Sequence, residues 1–389
     1  MKKYFIYTFG CKVNQYESQL ISENFKENNF IHVQTPQEAD IIILNSCTVT
    51  ADADKNCKYF IRKFSKLSNN PKLIITGCFA KNKNTDLKKM FPNIEIITDK
   101  AALFSSPQRQ TVSGLDNHSR AFLKIQDGCD SFCSYCIVPY VRNIIWSKSK
   151  IEATEELVNL VKNGYSEIVL TGINIGKYKG GLSSLIAEIV QIPLNFRIRI
   201  SSLEINEIDN ELIKLMEANS DKICRHLHIP LQSGSQRVLK LMNRKYSKEK
   251  FKEKTDEIIK ILPDLALTTD IITGFPGESR DDHEETCEFV KQIPFAGFHI
   301  FRYSDREGTK AYKFENKVPP AEIKKRSKDL FKINTMKKRN FLIANLGTKR
   351  KAVRIGLDKA LTDNYITVNK NISKIPGIFE IQISENSKI

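Results

Sequence analysis

Cys129, Cys133 and Cys136 stand at i, i+4 and i+7 in the segment Gly128-Cys129-Asp130-Ser131-Phe132-Cys133-Ser134-Tyr135-Cys136-Ile137-Val138-Pro139. A loop with that spacing can aim three thiolates at one metal centre. Structural zinc takes four protein ligands. No fourth Cys or His is close by, and His118 lies upstream across a predicted strand. Three thiolates and one open position suit a [4Fe-4S] cluster, whose protein ligands are thiolates. The competing reading is three small buried side chains, because free cysteine packs well. Three cysteines within eight residues, in a chain holding nine, argue against it.

A second set is dispersed. Tyr4 to Phe9, Ile41 to Leu44, Leu73 to Thr76 and Ile94 to Ile97 read as strands, Ile41 to Leu44 wholly apolar as a buried parallel strand is. Gln15 to Asn28 and Asp52 to Leu67 read as helices between them. Strands alternating with helices predict a doubly wound α/β sheet. Cys11, Cys47 and Cys78 each follow a strand, in Gly10-Cys11-Lys12-Val13-Asn14, Asn45-Ser46-Cys47-Thr48 and Gly77-Cys78. Loops at the carboxyl ends of such strands converge on one crevice, so a second site of three thiolates is expected. Cys57 faces a core with Phe60, Ile61 and Phe64 at helical spacing; Cys287 and Cys224 read as structural too.

The C-x3-C-x2-C spacing resembles the signature of the radical S-adenosylmethionine (SAM) enzymes. That resemblance implies a cluster whose open iron chelates the methionine part of SAM and whose electron cleaves it to a 5′-deoxyadenosyl radical. Six strand–helix repeats begin with the strand Ala121 to Gln126, with helices near 152–163, 183–191, 209–218, 247–262 and 281–292 between the strands. They predict a partial, TIM-like (β/α)6 barrel with its chemistry at the carboxyl ends of the strands. Residues at those ends are the expected SAM contacts. Thr171, Gly172 and Asn174 would meet the amino group, Ser201 and Glu204 the ribose hydroxyls, and Gly274 and Gly277 the adenine. His226 and His228 share a strand face and read as wall residues, with no metal role required.

The chain has 389 residues, 41% of them hydrophobic, which suits two or three domains. No apolar run approaches the ~18 residues of a membrane span. Met1-Lys2-Lys3-Tyr4-Phe5-Ile6-Tyr7 begins like a signal peptide but is broken at once by Thr8, Gly10, Cys11 and Lys12. A cytoplasmic protein is expected, where clustered cysteines bind metal more often than they form disulfides. The net charge is +16. Between Lys310 and Lys359 there are 16 lysines and arginines against four acids. A solvated helix face is the simpler reading of that run; a phosphate backbone is the better one, since binding it releases counterions.

Taken together, Thr8 to Glu17, Asn45 to Thr50, Gly77-Cys78 and Gly128 to Pro139 resemble the radical SAM methylthiotransferases. His228-Ile229-Pro230-Leu231-Gln232-Ser233-Gly234-Ser235, Met242-Asn243-Arg244-Lys245-Tyr246 and Phe301 to Thr309 fit the same family. The resemblance implies two [4Fe-4S] clusters, an auxiliary one on Cys11, Cys47 and Cys78 and a SAM-cleaving one on Cys129, Cys133 and Cys136. It implies two SAM molecules per turnover, one donating a methyl group to sulfur and one supplying the radical. The Gly10-to-Glu17 form is most similar to the branch acting on N6-threonylcarbamoyladenosine beside the anticodon of tRNA. Sister branches act on isopentenyladenosine in tRNA and on a ribosomal-protein aspartate. A rival of another class is a non-catalytic Fe–S or zinc RNA-binding protein.

Three domains are expected: 1–115 for the auxiliary cluster, 116–345 as the radical SAM core, and 346–389 as a short, TRAM-like RNA-binding β-barrel. Alternating stretches such as Lys351 to Ile355 and Ile378 to Ile383 carry the last, with Leu361-Thr362-Asp363-Asn364-Tyr365 resembling one of its segments. The expected partners are the tRNA anticodon stem-loop and an electron donor such as a flavodoxin or ferredoxin; the sulfur source is left open. Residues 140–148 depart from the family pattern. Arg142 is kept, but Asn143 and the lone tryptophan, Trp146, are unusual there. Trp146 could stack on a base or pack in a core.

Overall fold

Ile41 to Leu44 and Leu73 to Ile75 have no polar face, so both their sides must be covered. In the computed structural model, which describes residues 1–103, 111–115, 119–370, 372 and 377–389, they sit at the centre of a five-stranded sheet. Its strands are β1 (Lys3–Thr8), β2 (Ile31–His32), β3 (Ile41–Ser46), β4 (Lys72–Gly77) and β5 (Glu95–Ile96), in the order β2-β1-β3-β4-β5. Every pairing is parallel. Helix α1 (Lys12–Glu27) covers one face, where Ile21 and Phe25 pack on Tyr4, Ile43 and Ile74. Helices α2 (Ala51–Phe64) and α3 (Cys78–Met90) cover the other, packing Cys57, Ile61 and Phe79 on Ile42, Leu44 and Ile75. This is the expected doubly wound arrangement, with the two-residue β2 added at one edge. His118 lies outside the described residues.

The next strands are β6 (Ala121–Lys124), the short β7 (Gln126–Asp127) and β8 (Trp146–Ser147), then β9 (Glu167–Thr171), β10 (Arg197–Ile200), β11 (His226–His228), β12 (Ala266–Thr273) and β13 (Gly297–Arg302). They form two three-stranded parallel sheets, β6-β9-β10 and β11-β12-β13. A parallel bridge between Ile198 and Ile223 links the two. Helices alternate with the strands: α4 (Val138–Val141), α5 (Lys150–Lys162), α6 (Leu182–Val190), α7 (Asn210–Ala218), α8 (Gln236–Leu241), α9 (Lys248–Ile261) and α10 (Arg280–Gln292). Capping boxes start α5 at Ser149 with Glu152 and α10 at Ser279 with Asp282. The period-2 rule sorts the strand residues. Leu227, Leu267, Ile271 and Phe298 join the helix-side core. His226, His228, Thr268, Asp270 and His299 alternate with them along the same strands, on the opposite face.

The basic run becomes α11 (Pro320–Asn345), a 26-residue helix on β13. Lys324, Lys325, Lys328, Lys332 and Arg339 are exposed along it. Beyond it, β14 (Lys349–Gly356), β15 (Lys359–Thr362), β16 (Thr367–Asn369) and β17 (Ile378–Gln382) form an antiparallel sheet in the order β16-β15-β14-β17. Among the described residues it is a four-stranded sheet with its own small core of Ala352, Ala360, Ile366, Val368 and Ile381. It docks on the lower end of β9 and β10. Arg197 donates to the carbonyls of Lys351 and Leu361 at 2.8 and 2.9 Å. Arg199 donates to those of Thr362 and Asp363 at 2.9 and 3.1 Å. No helix among the described residues is long and apolar enough to cross a membrane.

Candidate functional site

Parallel pairing puts Thr8, Asn45 and Thr76 in one row across β1, β3 and β4. Cys11, Cys47 and Cys78 follow that row by three, two and two residues. The topology therefore delivers the three dispersed thiols to one end of the sheet. Gly10 has φ +89°, and a Cβ there would lie 2.8 Å from both Cβ and Sγ of Cys47, so the Cys11 loop needs glycine to lie against Cys47. Two asparagines brace the loops. Asn14 donates to the carbonyls of Phe9 and Ser46 at 2.8 and 3.0 Å, and Asn45 donates to the Asn14 carbonyl at 2.8 Å. Cys11 is exposed at the start of α1; Cys47 and Cys78 are buried. Burial pushes the Cys47 thiol up to about 11, and the neighbouring Cys78 and Cys11 push the same way.

The other three thiols lie on an excursion whose base is the β7–β8 ribbon, Gln126 opposite Ser147 and Asp127 opposite Trp146. Gly128 (φ +82°) passes so close to Ile144 that a Cβ would strike its carbonyl oxygen. Three bonds pin the middle of the loop to the core. Ser134 donates to the carbonyls of Met242 and Leu241 at 3.0 and 2.7 Å, and its own carbonyl accepts from Ala311 at 2.7 Å. The Cys136 N–H closes a turn onto the Cys133 carbonyl at 2.9 Å. Burial raises the Cys133 thiol, and that of Cys136 to about 12. Metal binding must therefore displace these protons.

Cys78 of the first set meets the loop of the second across a packed seam. Cys78 forms an apolar cluster with Ile137 and Val141, immediately after Cys136. Arg142 Nε donates to Cys78 Sγ at 3.2 Å. Elsewhere along the seam Arg306 donates to Thr48 Oγ1 at 2.6 Å and pairs with Asp54 at 2.7 Å. Tyr16 donates to Glu156 Oε1 at 2.8 Å. A cavity of about 300 Å³ opens beside Cys78, with Glu17, Lys100, Lys124, Asp127, Arg142 and Trp146 in its wall.

The remaining predicted residues divide. Glu204 is at the cluster loop: it pairs with Arg244, whose Nη1 donates to Cys133 Sγ at 3.4 Å. Ser201 donates to the Leu170 carbonyl at 2.7 Å. Thr171 is buried, its carbonyl already accepting from Ile125 at 2.9 Å. Asn174 donates to Glu207 at 3.0 Å, and its N–H binds Gln126 Oε1 at 2.7 Å. The Gly172–Asn174 turn is thus bound through Gln126, which also donates to the Gly128 carbonyl at 2.7 Å. Gly274 is covered by Ile323 of α11, and Gly277 donates to the Asn316 carbonyl at 2.6 Å. Phe275 between them packs toward Tyr135 and Tyr303.

Cys57 and Cys224 are both buried; the Cys57 thiol lies behind the Cys47 loop and donates to the Cys47 carbonyl at 3.6 Å, and that of Cys224 donates to Glu167 at 3.7 Å. Cys287 is half-buried beside His283. His226 stacks on Tyr365 with ring centroids 4.2 Å apart, and His228 pairs with Asp270 at 3.2 Å. Trp146 is half-exposed beneath Lys124, not in a core. Arg244, Glu17 and Asp127 were not anticipated as site residues. Arg244 could have been found from the Met242-to-Tyr246 segment and Glu17 from the Thr8-to-Glu17 one; Asp127 carries no local signal.

The donor geometry discriminates between metals. Four sulfurs around zinc stand about 3.8 Å apart, from Zn–S bonds of about 2.3 Å. Among the described residues, the group of three or more donors found within 4.8 Å of one another is His228, Asp270 and His299, and it includes no cysteine. Each thiol set is more open than a single zinc ion requires, and guanidinium groups reach one sulfur of each. Open, all-thiol, positively flanked sets fit [4Fe-4S] clusters.

Residues 123–290 match the radical SAM superfamily, and residues 3–99 match a family described as "Uncharacterized protein family UPF0004". The fold is shared with solved radical SAM proteins. The methyltransferase TsrM from Kitasatospora setae superposes with a TM-score of 0.58 at 11% identity, over 77% of this chain and 75% of that one. The cobalamin-dependent radical enzyme OxsB gives 0.54 at 12% identity, over 85% and 56%. The fold and the matched core define a radical SAM enzyme, with SAM and [4Fe-4S] chemistry.

The relatives narrow this. The threonylcarbamoyladenosine tRNA methylthiotransferase MtaB of Thermotoga maritima is 38% identical over 84% of this chain and 80% of its own length. That of Aquifex aeolicus is 34% identical over 95% and 97%. The tRNA-2-methylthio-N(6)-dimethylallyladenosine synthase of Clostridium botulinum is 35% identical over 82% and 78%. The chain belongs to the radical SAM methylthiotransferases of the MtaB type.

Proposed function

We propose that the protein inserts a methylthio group at C2 of N6-threonylcarbamoyladenosine next to the anticodon of tRNA. In this reading Cys129, Cys133 and Cys136 hold a SAM-cleaving [4Fe-4S] cluster, and Cys11, Cys47 and Cys78 hold an auxiliary one. The observation that supports it is Cys78 of one all-thiol set packed on Ile137 and Val141 of the other set's loop. When bound, the clusters and SAM supply the radical and the methylated sulfur. The chain's own residues do the rest. Ser134, Gln126 and Gly128 hold the loop; Arg244 and Glu204 set a charged pair beside Cys133. The Cys78–Ile137–Val141 contact packs one set against the loop of the other.

The organisation follows: 1–115 for the auxiliary set, 116–345 as a partial (β/α)6 barrel with Glu204 near SAM, and 346–389 as a TRAM-like module. The basic face of α11 and that module would grip the anticodon stem while a loop base is extruded toward the cysteines. The proteins named MtaB at 34–38% identity favour this nucleoside over the dimethylallyl one. The setting would be cytoplasmic, with a flavodoxin or ferredoxin as reductant. The test is anaerobic reconstitution with SAM, reductant and tRNA carrying either nucleoside, read by mass spectrometry of the digested RNA. Methylthiolation of the threonylcarbamoyl nucleoside is expected; modification of the isopentenyl nucleoside alone overturns the assignment.

A further inference from the structure

Arg142 touches both thiol sets. Its carbonyl accepts from the Cys129 N–H at 3.2 Å, and its Nε donates to Cys78 Sγ at 3.2 Å. The rest of the guanidinium is used as well. Nη1 donates to Asp127 Oδ2 at 2.8 Å and to Glu17 Oε1 at 2.9 Å. Nη2 donates to Glu17 Oε2 at 2.9 Å and to Asn14 Oδ1 at 2.8 Å. A guanidinium has five N–H donors in a rigid planar fork, and here each nitrogen has partners. Those partners come from every segment that matters. Asn14 and Glu17 lie on the helix that Cys11 begins, Asp127 precedes Gly128 and Cys129, and Cys78 begins α3. The side chain is 8% exposed, with no room for RNA. Lysine has one nitrogen and cannot make this set of contacts.

We infer that Arg142 is a positioning residue for the sulfur-transfer half of the reaction, holding the Cys78 sulfur as a charged ligand and setting the gap between the two cysteine sets. The inference rests on the ligand role proposed for Cys78. A cationic donor on a ligand sulfur favours the more negative, reduced state of a cluster, so hydrogen bonds to sulfur tune its potential. A fork spanning three segments also fixes where sulfur stands relative to the radical, and small misplacements of reacting groups are costly.

The test uses the full chain with Cys129, Cys133 and Cys136 replaced by alanine, so that only the second set is read, grown with 15N-arginine. About four irons per chain and a 15N hyperfine coupling in the reduced, paramagnetic state are expected, since one [4Fe-4S] cluster needs only thiolate ligands from the remaining set. Arg142→Lys in that background should abolish the coupling and lower the midpoint potential. In the otherwise unaltered chain, Arg142→Lys should keep SAM cleavage to 5′-deoxyadenosine while methylthiolated product falls about 10–100-fold, the usual loss when an outer-shell partner of a metal ligand is removed. Four irons without the coupling, or an unchanged potential in Arg142→Lys, overturns the role of Arg142 alone. No iron in the triple variant overturns the ligand role of Cys78 and this inference with it. The coupling needs no substitution at Arg142, so a variant that fails to fold does not protect the idea.

Discussion

Glu167→Gln should release the C-terminal sheet from the core. Glu167 is fully buried at the start of β9 and answers three arginines. Arg197 Nε donates to it at 2.8 Å, Arg199 Nε at 2.8 Å, and Arg120 Nη1 at 3.2 Å. Arg197 and Arg199 then spend their remaining donors on four carbonyls of β14, β15 and the turn after β15. Glutamine keeps the shape and removes the charge. Breaking a buried pair by removing one partner costs about 3–5 kcal/mol, because the remaining charge stays desolvated. Here two arginines, 1% and 3% exposed, are left without a counter-ion, and they escape by letting the sheet lift.

At about 1.4 kcal/mol per tenfold, that loss becomes roughly 10²–10⁴-fold faster amide exchange in β14 and β15. Hydrogen exchange by mass spectrometry reads it directly, with limited proteolysis at 346–348 as a second probe. SAM cleavage should survive, since Glu167 lies at the opposite end of β9 from Thr171 and the cluster loop. The sign in pH also follows. The arginines hold the Glu167 carboxyl well below the usual glutamate value against the opposing effect of burial. Its contribution is present above the ordinary glutamate pKa and is lost only as pH falls through the depressed folded value. The native protein should therefore keep the sheet docked in mild acid, while Glu167→Gln is undocked at every pH. Exchange in the variant within about threefold of native, under 1 kcal/mol by the same conversion, would refute the lock.

Cys133→Ala should abolish SAM cleavage, whereas Cys47→Ala should keep some cleavage, lose methylthio product and fall from about eight irons to about four; equal loss of both activities in Cys47→Ala would argue against two separate sites. Cys57→Ala should keep full iron and cost about 1 kcal/mol in thermal unfolding, as ordinary buried truncations do; loss of iron would move Cys57 into the site. Replacing Lys324, Lys328 and Lys332 by Gln should weaken tRNA binding and flatten the log K–log salt slope by up to about 0.9 per lost phosphate contact; an unchanged slope would place the RNA elsewhere. Arg244→Met should raise the KM for SAM more than it lowers kcat, read by 5′-deoxyadenosine release; an unchanged KM would separate the Arg244–Glu204 pair from SAM.

Local patterns decided much of this protein. C-x3-C-x2-C is a short loop whose spacing alone converges three thiols, and apolar runs punctuated by glycine define strands whose order follows from parallel connections. The row Thr8–Asn45–Thr76, and hence the meeting of Cys11, Cys47 and Cys78, follows from strand ends in the sequence because the rule for open sheets is topological. The SAM contacts were not legible in the same way. A residue at a strand end can turn to the crevice or be consumed by a neighbour. Only the fold shows that Asn174 donates to Glu207, that the Thr171 carbonyl accepts from Ile125 and that Gly274 lies against Ile323. Arg142 is the clearest case. In the sequence it is only an arginine kept in an altered loop. In the fold, partners as much as 128 positions away along the chain bury it and use each of its nitrogens. Spacing encodes which side chains can share one loop. The partners of a buried charge are set by chain segments distant in sequence, and only their packing brings those together.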